Sequence, residues 1–158
     1  MIEAVHPATD IEPIIAAHME DFHAGRLQCC ETVLLVMCKY FGYEMPAVPR
    51  IASAFGGGMG AMQFTCGAFT GALMAIGLRM GRELGGDRAP AVAACRALYE
   101  HFQTERGTIV CREILRDVDF SVSEQQAVFR APGGKHETVC EPLVADICRY
   151  LAKTYPNP

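Results

Sequence analysis

The hydrophobic pattern of the chain predicts a set of helices separated by glycine- and proline-containing breaks. The most apolar stretch, residues 66–78, reads CGAFTGALMAIGL. It has too few residues to span a bilayer and is typical of a buried helix, with Thr65 as the candidate N-cap. Gly67, Gly71 and Ala75 recur every four residues and predict a smooth face against which another helix can pack closely.

Apolar residues at helical spacing predict further helices on both sides of this segment. Their predicted ranges are 10–23, 27–41, 90–105, 108–115 and 138–152, with shorter helices at 52–55 and 121–129. Residues 108–115 are also compatible with a strand, but no partner strand is evident. The sequence therefore predicts an all-α fold, a single-domain bundle of five to six helices around a central small-residue helix at about residues 65–82. Pro156 and Pro158 predict a frayed tail.

The composition of the chain excludes some classes of function. The chain has 158 residues, of which 51% are hydrophobic and 20% charged, so one globular domain covering residues 1–158 is expected. The net charge is −4 and no cluster of lysine and arginine is present, so nucleic acid is not expected as a partner. The N-terminal segment MIEAVHPATDIEP has neither the basic nor the apolar region of a signal peptide, which favours a cytoplasmic location.

Eight cysteines are an excess for a cytoplasmic chain, because lasting disulfides are uncommon in that compartment. They lie at positions 29, 30, 38, 66, 95, 111, 140 and 148. No pair has C-x-x-C spacing, so a zinc knuckle, a thioredoxin-type motif and a c-type haem site are all unsupported. Any function that the cysteines share must therefore be assembled by the fold.

Position within the predicted helices divides the cysteines into two groups. Cys30 and Cys38 share the apolar stripe of the second helix and are expected in the core, whereas Cys29 lies about 100° from Cys30 around the helix. Cys95 is expected to pack within its helix, and Cys148 lies two turns into the last one. The cysteines within the first turn or so of a predicted helix are Cys29, Cys66, Cys111 and Cys140. Such positions favour a thiolate, although a lone cysteine is more often an ordinary buried residue.

Four helix N-termini directed at one place would form an electropositive pocket suited to four thiolates. Four thiolates bind zinc, a [2Fe–2S] cluster or a [4Fe–4S] cluster. Gly56, Gly57, Gly58 and Gly60 precede Cys66 and are expected to leave room for a cofactor and to donate backbone N–H groups to it. The same loop fits the G-x-G-x-x-A dinucleotide pattern, but no strand precedes it, so that function is not favoured.

The same residues carry a resemblance to a known family. FGGGMG at 55–60, TCGAFTGALMAIGL at 65–78, Cys29 with Val33-Leu34, Cys111-Arg-Glu-Ile-Leu and Cys140 stand in the order of the C_GCAxxG_C_C family, over about residues 22–151. The chain resembles this family, whose members are thought to be redox-active. Related domains of split-Soret cytochromes bind an iron–sulfur cluster through cysteines. The resemblance implies a small, largely helical protein in which the functional cysteines are Cys29, Cys66, Cys111 and Cys140.

The chain departs from the family pattern at two points, which limits what the resemblance implies about its function. Gln63 stands where a glycine is frequent shortly before the central cysteine. No C-x-x-C-H motif is present, so a haem role is not implied.

Three functions are compatible with these residues. In the first, the four cysteines bind an iron–sulfur cluster, [2Fe–2S] rather than [4Fe–4S], and pass electrons to a redox partner that the sequence does not identify; preparation in air can remove such a cluster. In the second, the cysteines cycle between dithiol and disulfide without metal. In the third, they bind zinc or nothing, and the domain acts through partner contacts, including a homodimer. No Ser/His/Asp set, H-E-x-x-H motif or P-loop indicates a conventional enzyme.

Overall fold

The regular elements of the structure, a computed structural model that describes residues 6–157, are all helical. The α-helices are α1 (Glu12–His23), α2 (Cys29–Phe41), α3 (Val48–Ala52), α4 (Gly67–Met80), α5 (Ala89–Arg106), α6 (Cys111–Leu115), α7 (Ser123–Arg130) and α8 (Glu141–Thr154). A 3₁₀ turn at Ser53–Phe55 follows α3, and a π-helical turn at His136–Cys140 leads into α8. Residues 6–157 contain no β-strand, so the all-α prediction is confirmed.

Helix α2 has the most central position in the bundle, where it contacts α1, α3, α4 and α8. Its residues are buried apart from Cys29, Leu35 and Lys39. Helix α4 packs against α2, α5 and α8. The structure therefore does not confirm α4 as the centre of the bundle. Nor does it confirm the predicted number of helices, since the described residues form eight, three of which have eight residues or fewer.

The small-residue face of α4 packs against α2, as predicted. A Cβ atom at Gly71 would lie 2.6 Å from the backbone oxygen of Cys30. A Cβ atom at Gly67 would lie 2.2 Å from the Cys29 sulfur. Real side-chain carbons do not approach other atoms so closely, so only glycine at these two positions permits this distance between the helices.

The start of α4 differs from the prediction. Its N-cap is Cys66, whereas Thr65 forms an isolated antiparallel bridge with Val110. The predicted Thr65 cap is therefore wrong, because the backbone of the preceding loop pairs with the segment before α6. Helix α4 ends at Met80, ahead of Gly81, which is earlier than predicted.

The tail after α8 is tied to the body of the protein. The Asn157 side chain donates to the backbone oxygens of Ala8, at 2.8 Å, and Tyr40, at 2.7 Å. The prediction of a frayed tail is therefore wrong as far as Asn157. Pro158 lies outside the described residues. So do residues 1–5, which belong to the N-terminal segment that was tested for a signal peptide. Within residues 6–157, no helix combines the length and the hydrophobicity needed to cross a membrane.

Candidate functional site

A cavity of about 520 Å³ lies at the N-terminal ends of four helices. Its lining includes all four cysteines that the sequence singled out: Cys29, Cys66, Cys111 and Cys140. Cys29 and Cys111 are the first residues of α2 and α6, and Cys66 and Cys140 are the N-caps of α4 and α8. The structure thus brings together four thiols that are far apart in the sequence, each at a helix start.

The other four cysteines do not line this cavity. Cys30, Cys38 and Cys148 are buried in the hydrophobic core, and Cys95 is half-buried against it. Thr70 makes a side-chain hydrogen bond with Cys30. The helical-wheel argument that separated Cys29 from Cys30 is therefore confirmed by their positions.

Backbone pairing fixes Cys66 and Cys111 side by side. The Cys66 N–H donates to the oxygen of Ile109 at 2.8 Å, and the Cys111 N–H donates to the oxygen of Phe64 at 2.6 Å. These bonds flank the bridge between Thr65 and Val110. They hold the starts of α4 and α6 in register, so both thiols reach the same cavity.

Gln63 secures the same junction from inside the protein. Its side chain is almost completely buried, donates to the backbone oxygen of Val118 at 2.7 Å and accepts from the Phe120 N–H at 3.0 Å. Its backbone oxygen accepts from the Arg112 N–H at 3.0 Å. Its φ is +58°, a conformation that favours glycine. The glutamine adds two hydrogen bonds that glycine lacks.

The start of α2 is held by a capping box. The backbone N–H of Gln28 donates to the Glu31 carboxylate at 2.7 Å, and the Gln28 side chain accepts from the backbone of Glu31. Gly56 lies against the Gln28 side chain, where a Cβ atom would occupy the space of its oxygen. The Cys29 sulfur accepts hydrogen bonds from backbone N–H groups, including those of Gly57 and Gly67.

The four glycines predicted to contact a cofactor have different surroundings. Gly57 lines the cavity, whereas Gly56, Gly58 and Gly60 do not. A Cβ atom at Gly58 would lie 2.7 Å from the Cβ of Cys111, so this glycine makes room for α6. Gly60 has open space around it.

Cys140 ends the π-helical turn, which also places His136 in the cavity wall. The buried His136 ring packs against Phe22, with 4.5 Å between ring centroids, and against Phe129 at 5.4 Å. Its Nδ1 lies 3.3 Å from the Glu141 carboxylate, which is also 2.8 Å from Nδ1 of His23. The π-helical turn is therefore held in place through His136, by two aromatic rings and by the Glu141 carboxylate.

Burial raises the pKa of each cavity thiol, to about 12 for Cys111. An ionised Cys29 raises the pKa of Cys66, Cys111 and Cys140 further. Backbone N–H groups at the helix starts lower the pKa of Cys29 and Cys66, but by less than burial raises it. The prediction that these helix N-termini favour thiolates is therefore wrong for the chain by itself, because desolvation is the larger effect.

The four thiols share one cavity with a backbone glycine at its wall. Within residues 6–157, no three histidine, cysteine, aspartate or glutamate side chains are grouped closely enough to hold one metal ion. The thiols instead surround a cavity, with Gly67 leaving space at the Cys29 sulfur. Four cysteines with backbone N–H donors are the donor set of an iron–sulfur cluster.

The remaining lining was not predicted from the sequence. Helix α7 contributes four residues at helical spacing: Ser123, Gln126, Ala127 and Arg130. A mostly polar stripe on a short helix normally faces solvent, so the sequence contained no signal that this one borders a cavity. The aromatic walls come from Phe22, Phe120 and Phe129.

Comparison with known proteins identifies a family. A family model described as "Putative redox-active protein (C_GCAxxG_C_C)" matches residues 27–154, a range that includes all four cavity cysteines. No curated protein and no solved structure matches the chain. Because the match covers most of the sequence, the chain belongs to the C_GCAxxG_C_C family.

Proposed function

We propose that Cys29, Cys66, Cys111 and Cys140 bind an iron–sulfur cluster, of the [2Fe–2S] type in the first instance, and that the protein is an electron carrier. The observation that carries this proposal is the convergence of these four thiols, from four helix starts, on one cavity. When bound, such a cluster supplies a centre that gains and loses a single electron.

The chain's own residues would stabilise the ligands in their ionised form. Backbone N–H groups of Gly57 and Gly67 donate to the Cys29 sulfur, and those of Ala68 and Phe69 donate to the Cys66 sulfur. The positive charge of Arg130 lowers the pKa of Cys140. These contacts would also make reduction easier, since they compensate negative charge at the sulfurs.

Electrostatics supports metal binding over thiol–disulfide exchange. Exchange requires a thiolate near neutral pH, but burial and the neighbouring thiolates raise the pKa of these thiols. Coordination to a cation removes that obstacle, because the metal replaces the protons. A set of four thiols is the donor set of zinc as well as of a cluster, so the metal and sulfide content must distinguish the two.

The decisive measurement is the iron, acid-labile sulfide and zinc content of protein purified without oxygen. We expect iron and sulfide in near-equal amounts, with absorption in the visible region. Both should be lost in Cys66→Ser, which removes a cavity thiol. Both should be retained in Cys95→Ser, which changes a half-buried cysteine away from the cavity.

Other outcomes would contradict the proposal. Zinc without sulfide would indicate a structural metal site. Protein with neither metal nor sulfide, but with a full complement of reactive thiols, would favour thiol–disulfide chemistry. Equal loss of iron from both serine variants would mean that the cavity cysteines are not the specific ligands.

A further inference from the structure

The cavity is lined by many residues besides the four cysteines. Its volume of about 520 Å³ falls within the range of about 300–1,000 Å³ that is usual for small-molecule sites. The rest of the lining includes Phe22, Phe120 and Phe129, aliphatic residues of α6 and α8, and one face of α7. Of these, Phe120 and Phe129 pack in the same cluster as Cys111 and Cys140. The lining as a whole has the mixture of apolar walls and a few polar groups that is typical of a ligand site.

Helix α7 forms the polar side of this space. Ser123, Gln126 and Arg130 lie on one stripe of the helix together with Ala127, and all four are solvent-accessible as well as lining the cavity. The buried Phe129 anchors the helix from another side, against the rings of Phe120 and His136. Helix α7 therefore turns polar groups towards the cavity mouth while its aromatic anchor is held in the core.

The charged side chains that line the cavity are of one sign, positive. Among the described residues that line the cavity, Arg130 is the only arginine or lysine, and none is an aspartate or glutamate. Among residues 6–157, no carboxylate lies within ion-pair distance of the Arg130 guanidinium. The guanidinium lies 3.4 Å from His136 Nε2 and 5.8 Å from the centre of the Phe129 ring. A cation in this position, at the edge of an apolar space, is suited to a carboxylate or similar anion.

We propose that the part of the cavity bordered by α7 binds a small organic anion with an aromatic or similarly sized apolar body. Its anionic group would pair with Arg130, and its apolar body would lie against Phe22, Phe120 and Phe129. This site goes beyond the proposed electron-carrier function, since it adds a small-molecule ligand that contacts Arg130, whose charge also acts on Cys140, and three aromatic rings. It would bring a small molecule next to the redox centre.

The test uses 2-naphthoate as the probe and neutral 2-naphthamide as its uncharged counterpart. Binding to the full chain, purified without oxygen, is measured by calorimetry. We expect naphthoate to bind more tightly than naphthamide. Arg130→Gln should weaken naphthoate binding by about tenfold or more, whereas Arg130→Lys should restore part of it, because charge-assisted hydrogen bonds contribute strongly to anion affinity.

Matched variants separate the site from general effects. Ala127→Trp should block binding by filling the cavity mouth, whereas Val128→Trp, at an exposed neighbouring residue that does not line the cavity, should not. Arg88→Gln controls for the loss of a surface charge elsewhere. Iron content is measured in the same samples, so a failure of the cluster proposal and a failure of this one give different results.

Three results would overturn the inference. The first is equal affinity for naphthoate and naphthamide, or no binding of either in the millimolar range. The second is naphthoate binding that Ala127→Trp and Val128→Trp affect alike. The third is an Arg130→Gln variant that has less iron but binds naphthoate with unchanged affinity. This result would mean that Arg130 stabilises the cysteine ligands and does not bind the organic anion.

Discussion

The position of the Cys29 sulfur depends on a single missing methyl group. Gly67 faces this sulfur across the contact between α2 and α4, and it also donates a backbone hydrogen bond to it. The close contact and the hydrogen bond both require the backbone at position 67 to lie very near the Cys29 sulfur. A residue with a Cβ atom would not fit there. The glycine therefore acts on the site through space and through its N–H group, without being a ligand.

Replacing this glycine tests the dependence directly. In Gly67→Ala, the added Cβ atom would lie 2.2 Å from the Cys29 sulfur, so the thiol must rotate away from its place in the cavity. We expect most of the bound iron to be lost while the fold is retained, with the free energy of unfolding lowered by about 1–3 kcal/mol. Iron analysis and urea denaturation measure the two effects.

Gly77 in the same helix provides the control. A Cβ atom there meets no other atom within 4 Å, so Gly77→Ala should leave the iron content unchanged. It should raise the free energy of unfolding by about 0.5–1 kcal/mol, because alanine is the better helix former. Equal iron loss in both variants would show that the effect comes from α4 as a whole.

At the scale of elements, the site depends on how a loop joins two helices. The segment before α4 pairs with the segment before α6, and the buried Gln63 side chain continues this junction to residues 118–120. Three chain segments are thereby held around Cys66 and Cys111. The short α6, which has only five residues, relies on this junction because a helix of that length is not stable alone.

Gln63→Ala is expected to weaken this junction. It leaves the backbone oxygen of Val118 and the N–H of Phe120 without their partners, at a cost of about 2–3 kcal/mol in the free energy of unfolding. Hydrogen exchange should increase first in residues 111–120. Gln103→Ala is the control, since the buried Gln103 side-chain oxygen has no hydrogen-bond partner in the described residues. An equal effect of both substitutions on stability would contradict the proposed role of Gln63.

Patterns within single elements could be predicted from the sequence, whereas contacts between distant elements could not. Helical spacing separated Cys29 from Cys30, and small residues at every fourth position indicated the tight packing of α4. The Thr65 cap was wrong because Thr65 pairs with Val110, a partner 45 residues away that no local pattern indicates. The contribution of α7 was missed for the same reason, since its polar stripe resembles any solvent-exposed face.

For the whole molecule, the buried thiols make stability depend on pH. Burial raises the pKa of Cys111 from 9.0 to about 12, and the pKa of the other three cavity thiols is raised as well. The unfolded chain loses these protons at lower pH than the folded chain. Their contribution to stability is therefore complete below about pH 9 and is lost as the pH rises towards 12.

Metal-free protein should accordingly become less stable in alkaline solution. We expect the free energy of unfolding, from urea titrations between pH 8 and about 10.5, to fall by up to about 1.4 kcal/mol per pH unit for each thiol. Removing one thiol in Cys111→Ser should make this decline less steep. The same slope in both proteins would mean that Cys111 ionises as readily in the folded state as in the unfolded state.

The spread of the cavity cysteines along the chain also has a consequence for biosynthesis. They come from four helices, and the last of them, Cys140, follows Cys29 by 111 residues. During translation, the first three can emerge and begin to fold while one wall of the cavity is still absent. Cys140 takes its place in the cavity wall only when α8 has docked, so we expect the proposed cofactor to be inserted after translation. A chain truncated before Cys140 would lack one of the four thiols, and we expect it to bind no iron, however well its earlier helices fold.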